Sequence, residues 1–221
     1  MLFFHPVRPS SDSESCYVRG CSVITDRNEF LIGDSSGAMH TFLCSQSTSR
    51  GLSVKNTKSI REHGSAISDI ASGGGYVASA DNRGNFCVFN VNVSEPTGGH
   101  NLMSKRLFIT SEKSFPCGSI ECVGSVLIAG FSSGHLKFFD LGSGECFVEV
   151  AAHSRCISAV CLNKEAGLVA TASEDCVLNV WKVSEGLGAL FVLQVSNLSL
   201  GFIFLSLSSS GPRQPLRRLT S

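Results

Sequence analysis

Apolar residues fall into short runs separated by Gly, Ser, Asn and Asp from about residue 17 to residue 195, and helical periodicity is nearly absent. The pattern predicts an all-β chain. Four segments can be written under one another: EFLIGDSSGAMHTFL (Glu29 to Leu43), YVASADNRGNFCVFN (Tyr76 to Asn90), VLIAGFSSGHLKFFD (Val126 to Asp140) and LVATASEDCVLNVWK (Leu168 to Lys182). Each is an apolar run, a tight polar turn and a second apolar run. The turn positions Gly37, Gly84, Gly134 and Cys176 follow one another at intervals of 47, 50 and 42 residues. Glycine at three of the four fits a turn that needs positive φ.

A second alignment sets EHGSAISDI (Glu62 to Ile70) against AHSRCISAV (Ala152 to Val160), with His63 and His153 90 residues apart. Each histidine precedes an apolar run, a loop and then the paired runs. The unit therefore reads strand a, strand b, tight turn, strand c and a strand d such as GECFVEV (Gly144 to Val150). A period of a few tens of residues marks a repeat array. The expected organisation is a disordered lead over 1–15, units over about 16–60, 61–112, 113–151 and 152–195, and a poorly ordered tail, apolar then basic, over 196–221.

Four antiparallel strands per unit, a histidine before the first and an aromatic-plus-acid ending the third resemble the WD40-repeat β-propeller family. Phe139-Asp140 stands at the position of that family's Trp-Asp dipeptide; Trp181-Lys182 keeps its aromatic half, and Phe89-Asn90 and Phe42-Leu43 are weaker versions. The run Phe115 to Val183 resembles the middle-to-late blades of one member of the family in particular. The resemblance implies a structural hydrogen-bonded tetrad in the last unit, made by His153, Thr171, Asp175 and Trp181. In the second unit it finds His63 but Arg83 at the aspartate position, and in the third Ala129, Ser133 and Phe139 where hydroxyl, acid and Trp should be. Those units are expected to rely on packing. Since the family's rings usually hold more blades than four, the resemblance implies a partial or open propeller with both ends missing.

A histidine, a hydroxyl and an acid together could also be a hydrolase triad, but no nucleophile elbow or oxyanion loop accompanies them. No enzymatic activity, catalytic residue, cofactor or metal site is therefore expected. With 18 basic and 18 acidic residues the formal charge is zero, which argues against nucleic acid as a partner. The ten cysteines lie in apolar runs and read as reduced thiols of a cytoplasmic protein, in keeping with an N-terminus that makes no secretory signal. Cys16/Cys21, Cys117/Cys122 and Cys156/Cys161 share C-x4-C spacing, but residues five apart on a regular strand face opposite ways and cannot grip one ion without a bulge. Gly73 to Gly75 reads as a hairpin connection, since no lysine and helix follow it.

From Leu187 to Leu207 there are 21 residues without a charge, followed by Arg213, Arg217 and Arg218, so a membrane tail is an alternative. Gln194, Asn197 and several serines dilute the stretch, and Ala189 to Val195 fits strand d of the fourth unit, which is the favoured reading. The function expected is a protein-interaction scaffold whose loops bind other proteins, copies of the chain included. Arg83, Phe131, Arg155 and Glu174 are the candidate contact residues on the face of the b–c turns and d–a loops. The competing reading is a truncated, open-edged fragment without independent function.

Overall fold

The computed structural model describes residues 16–24, 28–47, 51–91, 104–109, 115–186 and 189–199. These form four antiparallel four-stranded sheets without a helix. The first sheet holds β1 (Val18–Ile24), β2 (Glu29–Asp34), β3 (Ala38–Ser47) and β4 (Gly51–Arg61). The second holds β5 (Ile67–Gly73), β6 (Tyr76–Asp81), β7 (Phe86–Asn90) and β8 (Ser104–Ile109). The third holds β9 (Cys117–Val123), β10 (Val126–Phe131), β11 (His135–Asp140) and β12 (Cys146–Ala151). The fourth holds β13 (Ile157–Asn163), β14 (Leu168–Ser173), β15 (Val177–Gly186) and β16 (Ala189–Ser199). Within each sheet the strands lie side by side in chain order, as successive tight turns require.

The turn pattern explains the local geometry. Gly37, Gly84, Gly134 and Cys176 all have positive φ, at 85°, 78°, 80° and 64°. Each donates its N–H to the carbonyl three residues back, that of Asp34, Asp81, Phe131 or Ser173. The first residue of every aligned segment is also the first residue of a strand b.

The sheets stack through their first strands. β5 packs on β1 and β2, β9 on β5 and β6, and β13 on β9 and β10. Each interface therefore joins a forward face, made by strands b and c of one sheet, to the rear face of the next. Leu31 and Met39 meet Ile67, Ile70, Val77 and Phe89 in the first interface. Ala78, Phe86 and Val88 meet Cys117, Ile120, Leu127 and Phe139 in the second. Ile128, Leu136 and Phe138 meet Ile157, Val160, Val169 and Trp181 in the third. Small residues admit the knobs of strand a. A Cβ on Gly33 would stand 2.5 Å from Ile67 Cγ2, and one on Gly130 2.6 Å from Ile157 Cγ2. Both isoleucines are 0% exposed, and burying each side chain contributes roughly 1.5–3 kcal/mol.

A shift of register interrupts the a–b pairing of every sheet, between Arg19 and Cys21, Ile67 and Asp69, Gly130 and Phe131, and Ile157 and Ala159. The extra residue flips the side-chain alternation. As a result Cys117, Ile120 and Cys122 all enter the second interface, which corrects the expectation that the cysteines of a C-x4-C pair face opposite ways. Burial pushes the Cys122 thiol up to about 12 and raises Cys117 as well. All ten cysteines are free. Not all are packed inside, however: Cys21, Cys146, Cys161 and Cys176 are exposed.

In the tail, β16 pairs with β15 from Gly186↔Ala189 to Val177↔Ser199. From Ala189 the uncharged stretch thus forms strand d of the fourth sheet, which runs beyond residue 195. Among the described residues no helix is long and apolar enough to cross a membrane. The lead over 1–15 and residues 200–221 lie outside the described residues.

Candidate functional site

The b–c turns and the loops entering strand a share one face of the molecule, and polar side chains fix them from below. In the fourth sheet His153 precedes β13, Thr171 lies on β14, Asp175 in the turn and Trp181 on β15. The structure brings the four together. His153 Nδ1–H donates to Asp175 Oδ2 at 3.1 Å, the Thr171 hydroxyl donates to His153 Nε2 at 2.8 Å, and Trp181 Nε1–H donates to Thr171 Oγ1 at 3.0 Å. With the ring neutral, this single arrangement of protons satisfies every group in the chain. Asp175 also accepts from the N–H groups of Ser154 (3.0 Å) and Val177 (3.0 Å), tying the loop before β13 to the turn after β14. Burial opposes ionisation of Asp175, but these N–H groups and His153 outweigh it and hold the carboxyl below its ordinary range.

As chemistry the constellation is closed. The His153 side chain is 0% exposed, Thr171 is 0% exposed, and both ring nitrogens already have partners. A triad needs a hydroxyl facing substrate, and here the hydroxyl faces an indole.

The second sheet departs from the sequence expectation. Arg83 does occupy the position of Asp175, but the acid comes from Asp81, two residues earlier. His63 Nδ1–H donates to Asp81 Oδ2 at 3.3 Å and the Ser79 hydroxyl donates to His63 Nε2 at 2.8 Å. Asp81 also takes the N–H groups of Arg83 and Asn85, both at 2.9 Å. Burial again opposes ionisation, yet the bonds from Asn85 and Arg83 lower this carboxyl too. The first sheet carries a third version. His40, on β3 itself, gives Nε2–H to Asp34 Oδ2 at 2.8 Å and accepts from the Ser59 hydroxyl at 2.8 Å. Asp34 is held well below the usual carboxylate range: burial opposes this, and His40, Ser36 and Ala38 prevail. Asp34 and Asp81 were legible in part, because Asp-Ser-Ser-Gly and Asp-Asn-Arg-Gly each place an acid three residues before a glycine, the signature of a side-chain-capped turn; no such signal marks His40.

The third sheet has no such network among the described residues. Ala129 replaces the hydroxyl, Ser133 bonds only to His135 Nδ1 at 3.1 Å, and Phe139 packs on Phe86 at 5.2 Å. Phe131 stands where Asp34 and Asp81 stand in their sheets. It is 2% exposed and meets Phe86 edge-on at 6.0 Å, so it is corrected from a contact candidate to a core residue. Its aromatic character wins over its turn position. Arg83, Arg155 and Glu174 are exposed on the turn face. Arg155 and Glu174 flank one connection, where Glu174 N–H donates to the Cys156 carbonyl at 3.0 Å, while Arg83 lies two sheets away. Among the described residues no group of three or more metal-ligating side chains is gathered.

Comparison with known proteins agrees with this architecture. The sequence profile of the WDR54 family matches residues 1–194. WD repeat domain 54 of Rattus norvegicus is 25% identical over 192 residues, covering 83% of this chain and 54% of the relative. WD repeat-containing protein 54 of Mus musculus gives the same figures, and that of Homo sapiens is 24% identical over 193 residues. The chain thus spans about half the length of the relatives it matches. Among solved structures, the Mitotic Checkpoint Complex contains a chain with TM-score 0.65 and 15% identity, matching 86% of this chain and 53% of that one. The computationally designed Ika4 protein gives TM-score 0.58 and 14% identity over 78% of this chain and 95% of its own. At these identities the structural likenesses show the fold alone.

Proposed function

This chain belongs to the WDR54 family, and from that premise we propose that it is a non-enzymatic scaffold that presents its turn face to protein partners. One observation carries the reading. The histidine, hydroxyl and acid of the fourth sheet are turned inward, with the His153 side chain fully buried and bonded at both nitrogens, so what the face offers outward there is side chains for contact. Arg83, Arg155 and Glu174 are the exposed charged residues we assign to that contact. They are mixed in sign, as suits a protein surface more than a polyanion. We place the protein in the cytoplasm, where ten free thiols stay reduced.

The test compares partners captured by the unaltered chain and by the triple variant Arg83→Glu, Arg155→Glu, Glu174→Lys, both checked for equal thermal stability. Selective loss of partners from the variant supports the reading; an unchanged partner set would remove the turn face from it.

A further inference from the structure

The three interfaces between sheets repeat one scheme, and its two halves recur, unpaired among the described residues, in the first and fourth sheets. In the rear faces of the second and fourth sheets, strand a and the start of strand b are sealed: Ile67, Val77, Ile157 and Val169 are each 0% exposed. The equivalent residues of the first sheet are open, with Val18 59% and Phe30 42% exposed. In the forward faces of the first three sheets the strand-c residues Met39, Phe86, Leu136 and Phe138 are buried. Their counterparts in the fourth sheet, Leu178 and Val180, are only half-buried.

The halves match in shape as well as in polarity. By strand register, Val18 is the counterpart of the knobs Ile67 and Ile157, and Ala172 is the counterpart of their seats Gly33 and Gly130. Among the described residues the first sheet thus carries a β-branched knob without a seat, and the fourth a small-residue seat without a knob. Both lie on one chain, so a second copy offers the complement of each at once. The zero net charge leaves no bulk repulsion between copies.

We propose that two copies of this chain associate head to tail, the rear face of each first sheet docking on the forward face of the other's fourth sheet, to close a ring of eight sheets. Such a ring is within the roughly four to eight blades that propellers hold, and two identical heterologous contacts close it without leaving a free end. Cys176 carries a Cβ where Gly37 and Gly134 admit the loop carbonyl of the following sheet, so the docking engages strands and not that loop. The proposal deepens the scaffold reading by naming one partner, and it rests on that reading only in treating the chain as a binding protein; the turn residues take no part in it.

Solution mass by size-exclusion chromatography with light scattering tests it, using the 221-residue chain at micromolar concentration. A species of twice the 23.4 kDa of one chain is expected. Val18→Glu and Ala172→Glu, both at sites with solvent access, should each give a folded monomer with an unchanged circular dichroism spectrum. Mixing the two variants should restore the dimer, because one of its two contacts is then free of substitutions. A monomeric unaltered chain, a ladder of higher masses, or variants that stay monomeric when mixed would each overturn the ring. None of these results bears on partner capture by Arg83, Arg155 and Glu174.

Discussion

The third and fourth sheets solve the same problem by opposite means. Each must hold a tight b–c turn beneath a loop. The fourth does it with a chain of hydrogen bonds from Trp181 through Thr171 and His153 to Asp175. The third does it with packed rings, Phe131 and Phe139 on Phe86. The topology and the i→i+3 turn bond are the same in both. The difference teaches that the polar set is one way of fixing a turn, not a requirement of the fold, and that a histidine, hydroxyl and acid in close order need not have a substrate.

The comparison can be pressed at graded strengths. The largest effect should come from the aromatics, which both sheets bury: Trp181→Ala and Phe139→Ala should each lower stability by roughly 3–5 kcal/mol in urea unfolding. A much smaller loss for Phe139 would mean that the third sheet is not held by packing. Next, Asp175→Ala leaves the His153 N–H without its acceptor and should cost about 1–3 kcal/mol. Ser133→Ala, at the same position of the third sheet, should stay within about 0.5 kcal/mol.

Acidification separates the sheets more finely. Asp34, Asp81 and Asp175 are lowered from the ordinary value of 3.8, so the stability they contribute is complete above that value and is lost as pH falls through their folded pKa values. Asp69 runs the other way. Burial raises it despite bonds from Ile120, Ile70 and Ser119, so its effect is a loss of stability as pH rises from 3.8 towards the raised value. Stability curves between about pH 2 and pH 6 should therefore lose part of their acid limb in Asp81→Asn, and should lose the opposing contribution in Asp69→Asn. An unaltered curve for Asp81→Asn would contradict the second sheet's network. The turns themselves separate by backbone conformation. Cys176→Gly relieves a left-handed backbone and should stabilise by about 1 kcal/mol, whereas Gly134→Ala should destabilise, because a Cβ there meets the His153 carbonyl oxygen at 2.1 Å.

That contrast also shows why parts of the molecule were legible in the sequence. Strand b, the turn and strand c recur with spacing that local sterics dictate, so the four glycine-or-cysteine turns and the all-β architecture could be read directly. The tetrad residues of the fourth sheet could be named because they sit at the family's positions. Asp81 was passed over because alignment fixed attention on Arg83, while the carboxyl that reaches His63 starts two residues earlier and leans across the turn. Phe131 was misassigned because position in a turn suggests exposure, and only the neighbouring sheet, with Phe86 aimed at it, buries the ring. The cysteine faces were misread because a bulge is a property of pairing between strands, which periodicity along one strand does not encode. His40 joins Asp34 to Ser59 across three segments of chain, a juxtaposition set by register alone.

The fourth sheet's histidine, hydroxyl and acid are joined by hydrogen bonds, and their predicted property is energetic coupling as one structural unit. Its most direct test is a double-mutant cycle of His153→Ala and Asp175→Ala in equilibrium unfolding. A coupling of about 1 kcal/mol or more is predicted, the range expected of groups in one network. Additive losses, with coupling below about 0.5 kcal/mol, would contradict the account.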